Sequence, residues 1–378
     1  MNIPIYLDYN ATTPVAPEVA AAMRPWIEEQ FGNPSSSHVY GRRARKAVAD
    51  ARAVVAALVG ASAEEIVFTG SATEANNLAL LGLAGAAPPH RRHLIVSAVE
   101  HPAVMQPALH LRDQGWDLTV LAVDEFGCVV LDDLRAALRS DTALVSVMHA
   151  NNEVGTIQPV AEIAALARAN GSIVHADAAQ SAGKVVLDVG ELGVDLLTLA
   201  GHKFYAPKGI GALYVRRGTP LKPILFGADQ EHGLRPGTEN VAQIVGFGEA
   251  ARLARARLPH ATQHLATVRD DLHRRLAAAV PGLVLNGHTQ HRLPNTLHLS
   301  FPGVSGRDLL AAAPDVAASV GSACHSDADA VSGVLAAMGC NAARARGAVR
   351  LSVGFPTTAK DVDSAASFLV RAWRAVAP

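Results

Sequence analysis

The chain has 378 residues, enough for two domains, and its 49% hydrophobic and 18% charged content excludes a disordered polymer. A net charge of −1 and 4% aromatic residues argue against nucleic acid or an anionic membrane as a partner, because neither long-range attraction nor base stacking is available. The N-terminus lacks the basic start and apolar core of a signal peptide, and no apolar stretch is long enough to span a bilayer. Three cysteines without a CxxC pair favour a cytoplasmic location.

Along the first part of the chain, short apolar runs alternate with helical patterns. A helix is predicted at residues 44–58, where an Arg/Lys/Asp face lies opposite a Val/Ala/Leu face, and a short strand follows at 65–69. Further strands are predicted at 93–98, 117–123, 143–149, 172–176 and 196–199, and further helices at 74–83, 103–114 and 160–170. Because strand–helix alternation favours a mostly parallel sheet covered on both faces, we predict an α/β fold.

The rest of the chain is predicted to form a smaller α+β domain. A long helical pattern begins near Val241, with Pro259 as a candidate break. Shorter strands are predicted at 296–300 and 348–352, and helices at 261–279 and 358–376. We therefore predict a large domain of residues 15–258 and a small domain built from 1–14 and 259–378.

Polar side chains come directly after several of the predicted strands. They are His101, Asn151, Asn152, Asp177 and His202. Parallel sheets bind ligands in the crevice beyond the carboxyl ends of their strands, so we predict a ligand site there. No metal ligands are assigned.

Lys203 and Asp177 are the main candidates for chemistry in this crevice. Lys203 follows an apolar strand, which disfavours its charged form, although its ammonium could instead reach out to water. Asp177 lies among apolar residues and needs a cationic or hydrogen-bonding partner, unless it is a structural carboxylate that caps the next turn. A Schiff-base lysine and a carboxylate for a pyridinium nitrogen are the two groups that pyridoxal phosphate (PLP) demands of a protein. Gln180 could then reach the phenolic oxygen of the cofactor, and His202 its phosphate.

Two further segments are candidates for cofactor contacts, each with a simpler alternative. Residues 70–77 follow a strand and open a helix, so backbone N–H groups and the Thr73 hydroxyl can hold a phosphate, or else Ser71 or Thr73 merely caps the helix. His101 can stack on a flat cofactor ring and carry protons, or it is an ordinary surface or capping histidine.

Cys324 and Arg350 are candidates for contact with a substrate. Small and polar residues surround Cys324, which predicts an exposed loop with an available thiol, although an unimportant surface cysteine has the same pattern. Cys128 and Cys340 fit buried or incidental roles better. Arg350, a single charge in an apolar strand, can hold a carboxylate with two hydrogen bonds or can face water on an edge strand. These residues suggest an enzyme that uses PLP to weaken a substrate bond and a thiol to accept the departing group.

Several short sequence segments, which follow one another along the chain, are similar to segments of a known protein family. They are Leu7-Asp8-Tyr9-Asn10-Ala11-Thr12-Thr13-Pro14, Gly32-Asn33-Pro34-Ser35-Ser36, Thr73-Glu74-Ala75-Asn76-Asn77, Asn151-Asn152-Glu153-Val154-Gly155, Gly201-His202-Lys203, Arg235-Pro236-Gly237-Thr238-Glu239-Asn240 and the loop around Cys324. In them the chain resembles the class V aminotransferase superfamily, in its cysteine desulfurase and selenocysteine lyase branch. The resemblance implies PLP-dependent fold type I, with a mostly parallel seven-stranded-type sheet in the large domain, and a homodimer with active sites at the subunit boundary.

The resemblance also assigns a role to each candidate residue. For the ring of the cofactor, it implies a Schiff base on Lys203 and stacking of His101. It also implies a contact of Asp177 with the ring nitrogen and of Gln180 with the ring oxygen. The residues that it implies for the phosphate are Ala72, Thr73, His202 and, from a second subunit, Thr238. For the substrate, it implies contacts from Asn152, Arg350 and His325, with Cys324 as the nucleophile. The freed lysine would remove the α-proton, His101 would carry a proton, and alanine would leave.

Two departures from common cysteine desulfurases bear on phosphate binding and on the substrate. Ala200 stands where many of them have serine, so one hydroxyl contact to the phosphate is missing. The loop at 318–327 is very similar to that of mammalian-type selenocysteine lyases, and Pro102 follows His101 where many desulfurases have lysine. Without that cation a thiol substrate receives less help to ionise, whereas a selenol needs none. The leading interpretation is a selenocysteine lyase acting on L-selenocysteine. The alternative is a cysteine desulfurase that supplies persulfide sulfur from L-cysteine for iron–sulfur cluster or thiocofactor synthesis.

Two other classes of protein remain open. A plain PLP aminotransferase would need no exposed cysteine and would transfer an amine to a keto acid. A non-catalytic scaffold would typically have lost Lys203. The expected partners are the substrate, a second copy of the chain and a sulfur or selenium acceptor protein, whose identity the sequence does not reveal.

Overall fold

A computed structural model describes residues 3–320 and 332–377, so the predicted roles of Cys324 and His325 lie outside the described residues. The strands of the described part are β1 Ile5–Tyr6, β2 Ile66–Thr69, β3 His93–Ser97, β4 Asp117–Leu121, β5 Thr142–Ser146, β6 Ile173–Asp177, β7 Leu196–Ala200, β8 Gly211–Val215, β9 Val284–Asn286, β10 Thr296–Ser300, β11 Val316–Ala317 and β12 Ala348–Ser352. Its α-helices are α1 Pro17–Glu28, α2 Val39–Leu58, α3 Ala72–Asn77, α4 Leu83–Ala86, α5 Pro102–Asp113, α6 Leu131–Ala137, α7 Val160–Ala169, α8 Val189–Leu192, α9 Val241–Ala279, α10 Gly306–Ala311, α11 Gly333–Ala337, α12 Ala342–Arg346 and α13 Ala359–Val376.

Seven strands form the main sheet, in the order β2-β8-β7-β6-β5-β3-β4. The strands from β7 to β4 pair in parallel, while β8 runs antiparallel to both of its neighbours. The predicted mostly parallel α/β sheet is thus confirmed. Both β5 and β7 are buried along their whole length, as parallel strands covered on two faces must be. Because the carboxyl ends of β3, β5, β6 and β7 lie at one edge, the polar residues that follow them converge there.

Helices cover both faces of the main sheet. On one face, Val55 of α2 and Phe247 of α9 belong to a shared apolar core. On the other face, Leu80 and Val104 belong to a second core, which packs the region after α3 against α5. A π-helical turn, Leu78–Gly82, joins α3 to α4, so the helix predicted at 74–83 is part of one longer helical segment.

A second, smaller sheet surrounds a separate core. β12, β10 and β9 pair antiparallel in that order, and β1 pairs in parallel with β11. Leu7, Leu297, Leu351 and Leu369 are buried in one cluster with the C-terminal half of α9. The bounds of the two predicted domains stay a prediction, which these separate cores support.

Helix α9 continues through Pro259, so the predicted break at that residue is wrong. Proline removes an N–H donor from a helix and costs about 3 kcal/mol in its interior. Packing holds both halves of α9, since Phe247 is buried in the large core and Leu272 and Leu276 in the small one. Burial of such side chains contributes roughly 2 kcal/mol each, which together exceeds the cost of the proline. Long-range packing therefore overrides the local preference.

No helix in residues 3–320 and 332–377 is long and apolar enough to cross a bilayer. The longest of them, α9, has 39 residues but carries charged side chains along its length. The same part of the chain contains no group of three His, Cys, Asp or Glu side chains placed to share a metal ion.

Candidate active site

The predicted ligand crevice lies where four parallel strands end. His101 begins α5 shortly after β3, Asn152 follows β5, Asp177 closes β6 and Lys203 follows β7. Burial lowers the pKa of His101, and the opposing charges of Asp177 and Lys203 also act on it, so the three side chains share one electrostatic environment. The fold thus brings candidates from separate strands into one site.

Lys203 ends a short 3₁₀ turn, Gly201–Lys203, directly after β7. Its Nζ donates hydrogen bonds to the main-chain oxygens of Asn10 (2.6 Å) and Ala11 (2.8 Å). Burial is the main reason that the pKa of this amine is lowered to about 8, and the guanidinium of Arg350 adds to the effect against nearby carboxylates. The neutral amine, which is the form that attacks an aldehyde, is therefore available at mildly alkaline pH.

This environment predicts a distinctive titration of Lys203. Competitive acetylation of the apoprotein, followed by mass spectrometry, should show the Lys203 peptide gaining reactivity through a midpoint near pH 8, because only the neutral form above the pKa reacts. An ordinary lysine titrates at about 10.4. The exposed Lys208 serves as an internal control. A midpoint for Lys203 near the ordinary lysine value would contradict the lowered pKa.

Asp177 lies at the carboxyl end of β6 and is 6% exposed. Its Oδ2 accepts a hydrogen bond from Nδ2 of Asn76 at 2.7 Å, and its Oδ1 accepts one from the N–H of Ala179 at 2.9 Å. The bond to Ala179 is the turn-capping contact that formed the simpler alternative. Both donors are neutral, however, and a buried carboxylate is costly without a cationic partner. A pyridinium N–H would supply that partner.

The start of α3 is the candidate phosphate site. Ser71 is the N-cap, since its Oγ accepts a hydrogen bond from the N–H of Glu74 at 3.1 Å. The preceding N–H groups, those of Ala72 and Thr73, have no acceptor within the helix and point to where an anion would bind. A Cβ at Gly211 of β8 would lie 2.6 Å from the main-chain carbon of Ser71. The glycine therefore lets the strand approach without displacing this turn.

His202 and Ala200 bear on the same predicted phosphate contact. Burial lowers the pKa of His202 to about 4, so its ring is neutral. Its Nδ1 lies 3.2 Å from the hydroxyl of Thr12. A neutral ring can still donate one N–H to a phosphate. Ala200 closes β7 with a buried methyl group and offers no hydroxyl, as the sequence indicates.

His101 is the N-cap of α5, so the capping role is present. Its Nδ1 accepts a hydrogen bond from the N–H of Ala103 at 3.1 Å, and burial lowers its pKa, which leaves a neutral ring with its proton on Nε2. The adjacent Glu100 is buried, and its Oε1 accepts hydrogen bonds from the Ser97 hydroxyl (2.5 Å) and the Met148 N–H (2.8 Å). Burial raises the pKa of Glu100 to about 8, so at neutral pH it places little negative charge beside His101.

Arg350, on strand β12 of the small sheet, contacts Asn152 at the crevice. It is only 3% exposed, so the alternative of an edge-strand arginine facing water is wrong. Its Nη1 donates to the main-chain oxygen of Asn152 and its Nη2 to Oδ1 of Asp8, each at 2.9 Å, and these acceptors bury the guanidinium. Nε of Arg350 has no hydrogen-bond partner among the described residues. A substrate carboxylate that displaced Asp8 from Nη2 would therefore accept hydrogen bonds from both Nη2 and Nε.

Asn10 and Lys184 belong to the site without having been predicted. The main-chain oxygen of Asn10 accepts hydrogen bonds from Lys203 Nζ and from Gln180 Nε2, the latter at 3.0 Å. Lys184 Nζ donates to Oδ1 of Asn10 (3.2 Å) and to Oε1 of Gln180 (3.0 Å). The available signals were the string at 7–14, which contains Asn10, and a lysine among apolar residues at 184.

Thr238 lies exposed in a loop near the start of α3. Arg235 in that loop donates from Nε to Oε1 of Glu74 at 2.8 Å. Within the described part of one chain, no hydrogen bond joins Thr238 to Ala72 or Thr73. The predicted phosphate contact of Thr238 therefore remains a prediction that requires a second copy.

The remaining cysteines differ from a reactive thiol. Cys128 and Cys340 are free and half-buried. Burial raises the pKa of Cys128 to about 11, so its thiol stays protonated and a poor nucleophile at neutral pH. The predicted roles of Cys324 and His325 stay predictions.

A lysine with a lowered pKa, a buried carboxylate with neutral partners and a helix N-terminus lie at one edge of the sheet. These groups match the aldehyde, the ring nitrogen and the phosphate of PLP. Fold and site together are those of a PLP-dependent enzyme of fold type I. More narrowly, the chain belongs to the aminotransferase class-V family, whose sequence pattern matches residues 5–364.

Related proteins share this architecture from end to end. The chain is 43% identical over 373 residues to a protein named cysteine desulfurase IscS from Dictyoglomus turgidum, a match that covers 98% of this chain and 95% of the relative. Among solved structures, a NifS-like protein superposes with a TM-score of 0.93 at 35% identity, covering 99% of this chain and all (100%) of that one. A structure described as SspA in complex with cysteine has a TM-score of 0.82 at 35% identity and covers 92% and 98% of the two chains. Fold type I and the dependence on PLP are thus confirmed.

Proposed function

We propose that this protein is a cysteine desulfurase, which uses PLP to remove sulfur from L-cysteine and leaves L-alanine. The observation that carries the proposal is a buried guanidinium, Arg350, whose charge acts on the amine of Lys203. An amino-acid substrate of PLP requires a carboxylate-binding group beside the Schiff-base lysine. The names of the related proteins support cysteine as that amino acid.

The described residues would hold the cofactor at three places. Lys203 would bond its aldehyde, Asp177 would accept from its ring nitrogen, and the turn before α3 would bind its phosphate. His101 would lie on the ring, and Gln180 would donate to the ring oxygen. When bound, PLP withdraws electrons from the α-carbon of the substrate.

Arg350 and Lys203 would then act on the substrate. The substrate carboxylate replaces Asp8 at Arg350, which fixes the α-carbon near Lys203. An amine with a pKa of about 8 can take the α-proton at physiological pH, because it is partly neutral and still basic. His101, kept neutral by burial, can pass a proton to the departing carbon skeleton.

Cys324 is the proposed nucleophile. Its thiolate attacks the substrate sulfur, so a sulfur–sulfur bond forms while the carbon–sulfur bond breaks. The electron pair of the broken bond stays with the carbon skeleton, which accepts protons and leaves as alanine. The sulfur remains on Cys324 as a persulfide, and we propose that an acceptor thiol or protein takes it.

A second copy of the chain would complete this function. Several large apolar side chains are strongly exposed in the single chain, among them Ile27 (70%), Phe31 (82%) and Phe226 (91%). We take these exposed side chains as support for an interface with a second copy, since contact with another chain would bury them. We propose a homodimer in which Thr238 of one copy reaches the phosphate site of the other.

Selenium is the second candidate for the element removed. The leading sequence interpretation, a selenocysteine lyase, gains no support from the named relatives, which favour the cysteine alternative. Pro102, the first residue of α5, occupies the position where many desulfurases are expected to have a lysine, whose charge would help a thiol substrate to ionise. L-selenocysteine therefore remains the substrate to compare with L-cysteine.

The test is kcat/KM of the PLP-loaded enzyme for L-cysteine and for L-selenocysteine, measured as alanine release. We expect L-cysteine to give alanine and one persulfide sulfur for each alanine, with D-cysteine as the inactive control. If kcat/KM for L-selenocysteine exceeded that for L-cysteine by more than about 100-fold, equal to roughly 2.7 kcal/mol, the protein would be a selenocysteine lyase. Amine transfer to a keto acid without sulfur release would identify an aminotransferase instead.

A further inference from the structure

Lys184 is a buried lysine that the proposed reaction does not use. It is 5% exposed, and both described hydrogen bonds of its Nζ end on amide oxygens, Oδ1 of Asn10 and Oε1 of Gln180. Neither partner is a carboxylate, so nothing neutralises a charge at this position through those bonds. Burying a lysine in this way is costly, and a function is therefore expected for it.

The two bonds determine which way the amides face. The side-chain amide of Gln180 has one acceptor, Oε1, and one donor group, Nε2, and Lys184 Nζ donates to the acceptor. Gln180 therefore turns its oxygen to Lys184 and its NH₂ group away from it. That NH₂ group donates to the main-chain oxygen of Asn10 at 3.0 Å, and this oxygen also accepts from Lys203 Nζ at 2.6 Å. The NH₂ group thus lies beside the amine that would bond the cofactor.

We propose that Lys184 is a positioning residue that holds the amide of Gln180 with its NH₂ group facing the ring oxygen of PLP. A flipped amide would lose the hydrogen bond that Lys184 Nζ donates to Oε1 and would set its oxygen against the main-chain oxygen of Asn10. It would also present an oxygen to an anionic ring oxygen, which is repulsive. The inference rests on the place that the proposed function gives to Gln180. It assigns Lys184 an effect on the cofactor, not a contact with substrate.

The experiment is a double-mutant cycle read out on the cofactor itself. Apoprotein forms of the wild type, Lys184→Met, Gln180→Leu and the double variant are titrated with PLP, and the pH dependence of the visible band of each loaded form is recorded. Each single variant is expected to bind PLP about tenfold more weakly, a typical effect of one lost hydrogen bond. In each single variant, the pH at which the visible band changes should be higher than in the wild type. The reason is that the anionic form of the ring oxygen loses a hydrogen-bond donor. The double variant should bind no more weakly than the weaker-binding single variant, since both changes remove the same contact.

Matched variants separate positioning from a structural role. Lys184→Arg keeps the donors and has room to repack, because position 184 lines a cavity of about 40 Å³, so it should restore most of the PLP affinity and the wild-type pH dependence. The exposed Lys222→Met is the control and should match the wild type. If Lys184→Met does not fold, Lys184→Leu, which also has no donor, takes its place in the same cycle.

Two results would overturn the inference. One is multiplicative weakening in the double variant, which would show that Lys184 and Gln180 act separately. The other is unchanged PLP affinity and unchanged pH dependence in Lys184→Met. Neither measurement involves sulfur, so the cycle can be interpreted even if L-cysteine proves not to be the substrate.

Discussion

Replacing Lys203 by alanine should lower alanine formation from L-cysteine by about 10⁴-fold, the loss expected when both the nucleophilic amine and the proton-transferring base disappear. The variant should still fold. The main-chain oxygen of Asn10 that accepts from Lys203 also accepts from Gln180, so it keeps a partner. The loss should therefore appear in kcat and in the covalent attachment of PLP, with little change in thermal stability.

Borohydride reduction followed by mass spectrometry measures that attachment directly. In the wild type the reduced cofactor should be found on the Lys203 peptide, and a non-catalytic scaffold would show no label. Lys184 is the internal competitor, since it is also a buried amine whose pKa burial lowers well below the ordinary lysine value. The exposed Lys208→Ala is the matched control. Label on Lys184 in the wild type, or wild-type turnover by Lys203→Ala, would refute the assignment.

The strands buried on both faces are the most predictable elements of the fold. β6 and β7 lie within one residue of the predicted 172–176 and 196–199, because each is a short, mostly apolar run that is too brief for a typical helix. β8 is equally buried, yet its run Gly-Ala-Leu-Tyr-Val begins with two residues of weak strand preference and was not predicted. Its antiparallel pairing with β2 and β7 is a property of the assembled sheet.

The local sequence pattern identifies a residue of the candidate site only where that residue by itself differs from its neighbours. Lys203 and Asp177 stand out because each is a charge directly after an apolar strand. Asn10 and Lys184 do not, since their bond joins positions 174 residues apart. The burial of Arg350 likewise depends on Asp8, 342 residues away in the chain. Contacts between residues so far apart in the sequence form only when the chain folds, and no short segment of the sequence contains both partners.

Replacing Cys324 by alanine should separate the cofactor chemistry from sulfur removal. We expect the variant to keep the visible band of bound PLP, because the described residues that would hold the cofactor are all outside the Cys324 loop. Alanine formation from L-cysteine should fall by at least about 100-fold, since no other group is placed by the resemblance to take the sulfur as a nucleophile. Mass spectrometry of the wild type after one turnover should show one added sulfur on the Cys324 peptide.

Cys128→Ala and Cys340→Ala are the matched controls, and both should turn over like the wild type. At pH 8, a thiol with the pKa of about 11 that burial gives Cys128 is only about 0.1% ionised, whereas an ordinary exposed thiol with a pKa of about 8.5 is roughly one quarter ionised. Cys128 therefore cannot substitute efficiently for a reactive loop thiolate. Full sulfur-removing turnover by Cys324→Ala would refute Cys324 as the nucleophile. If activity were lost instead in Cys128→Ala or Cys340→Ala, the sulfur would have to pass through one of those two thiols.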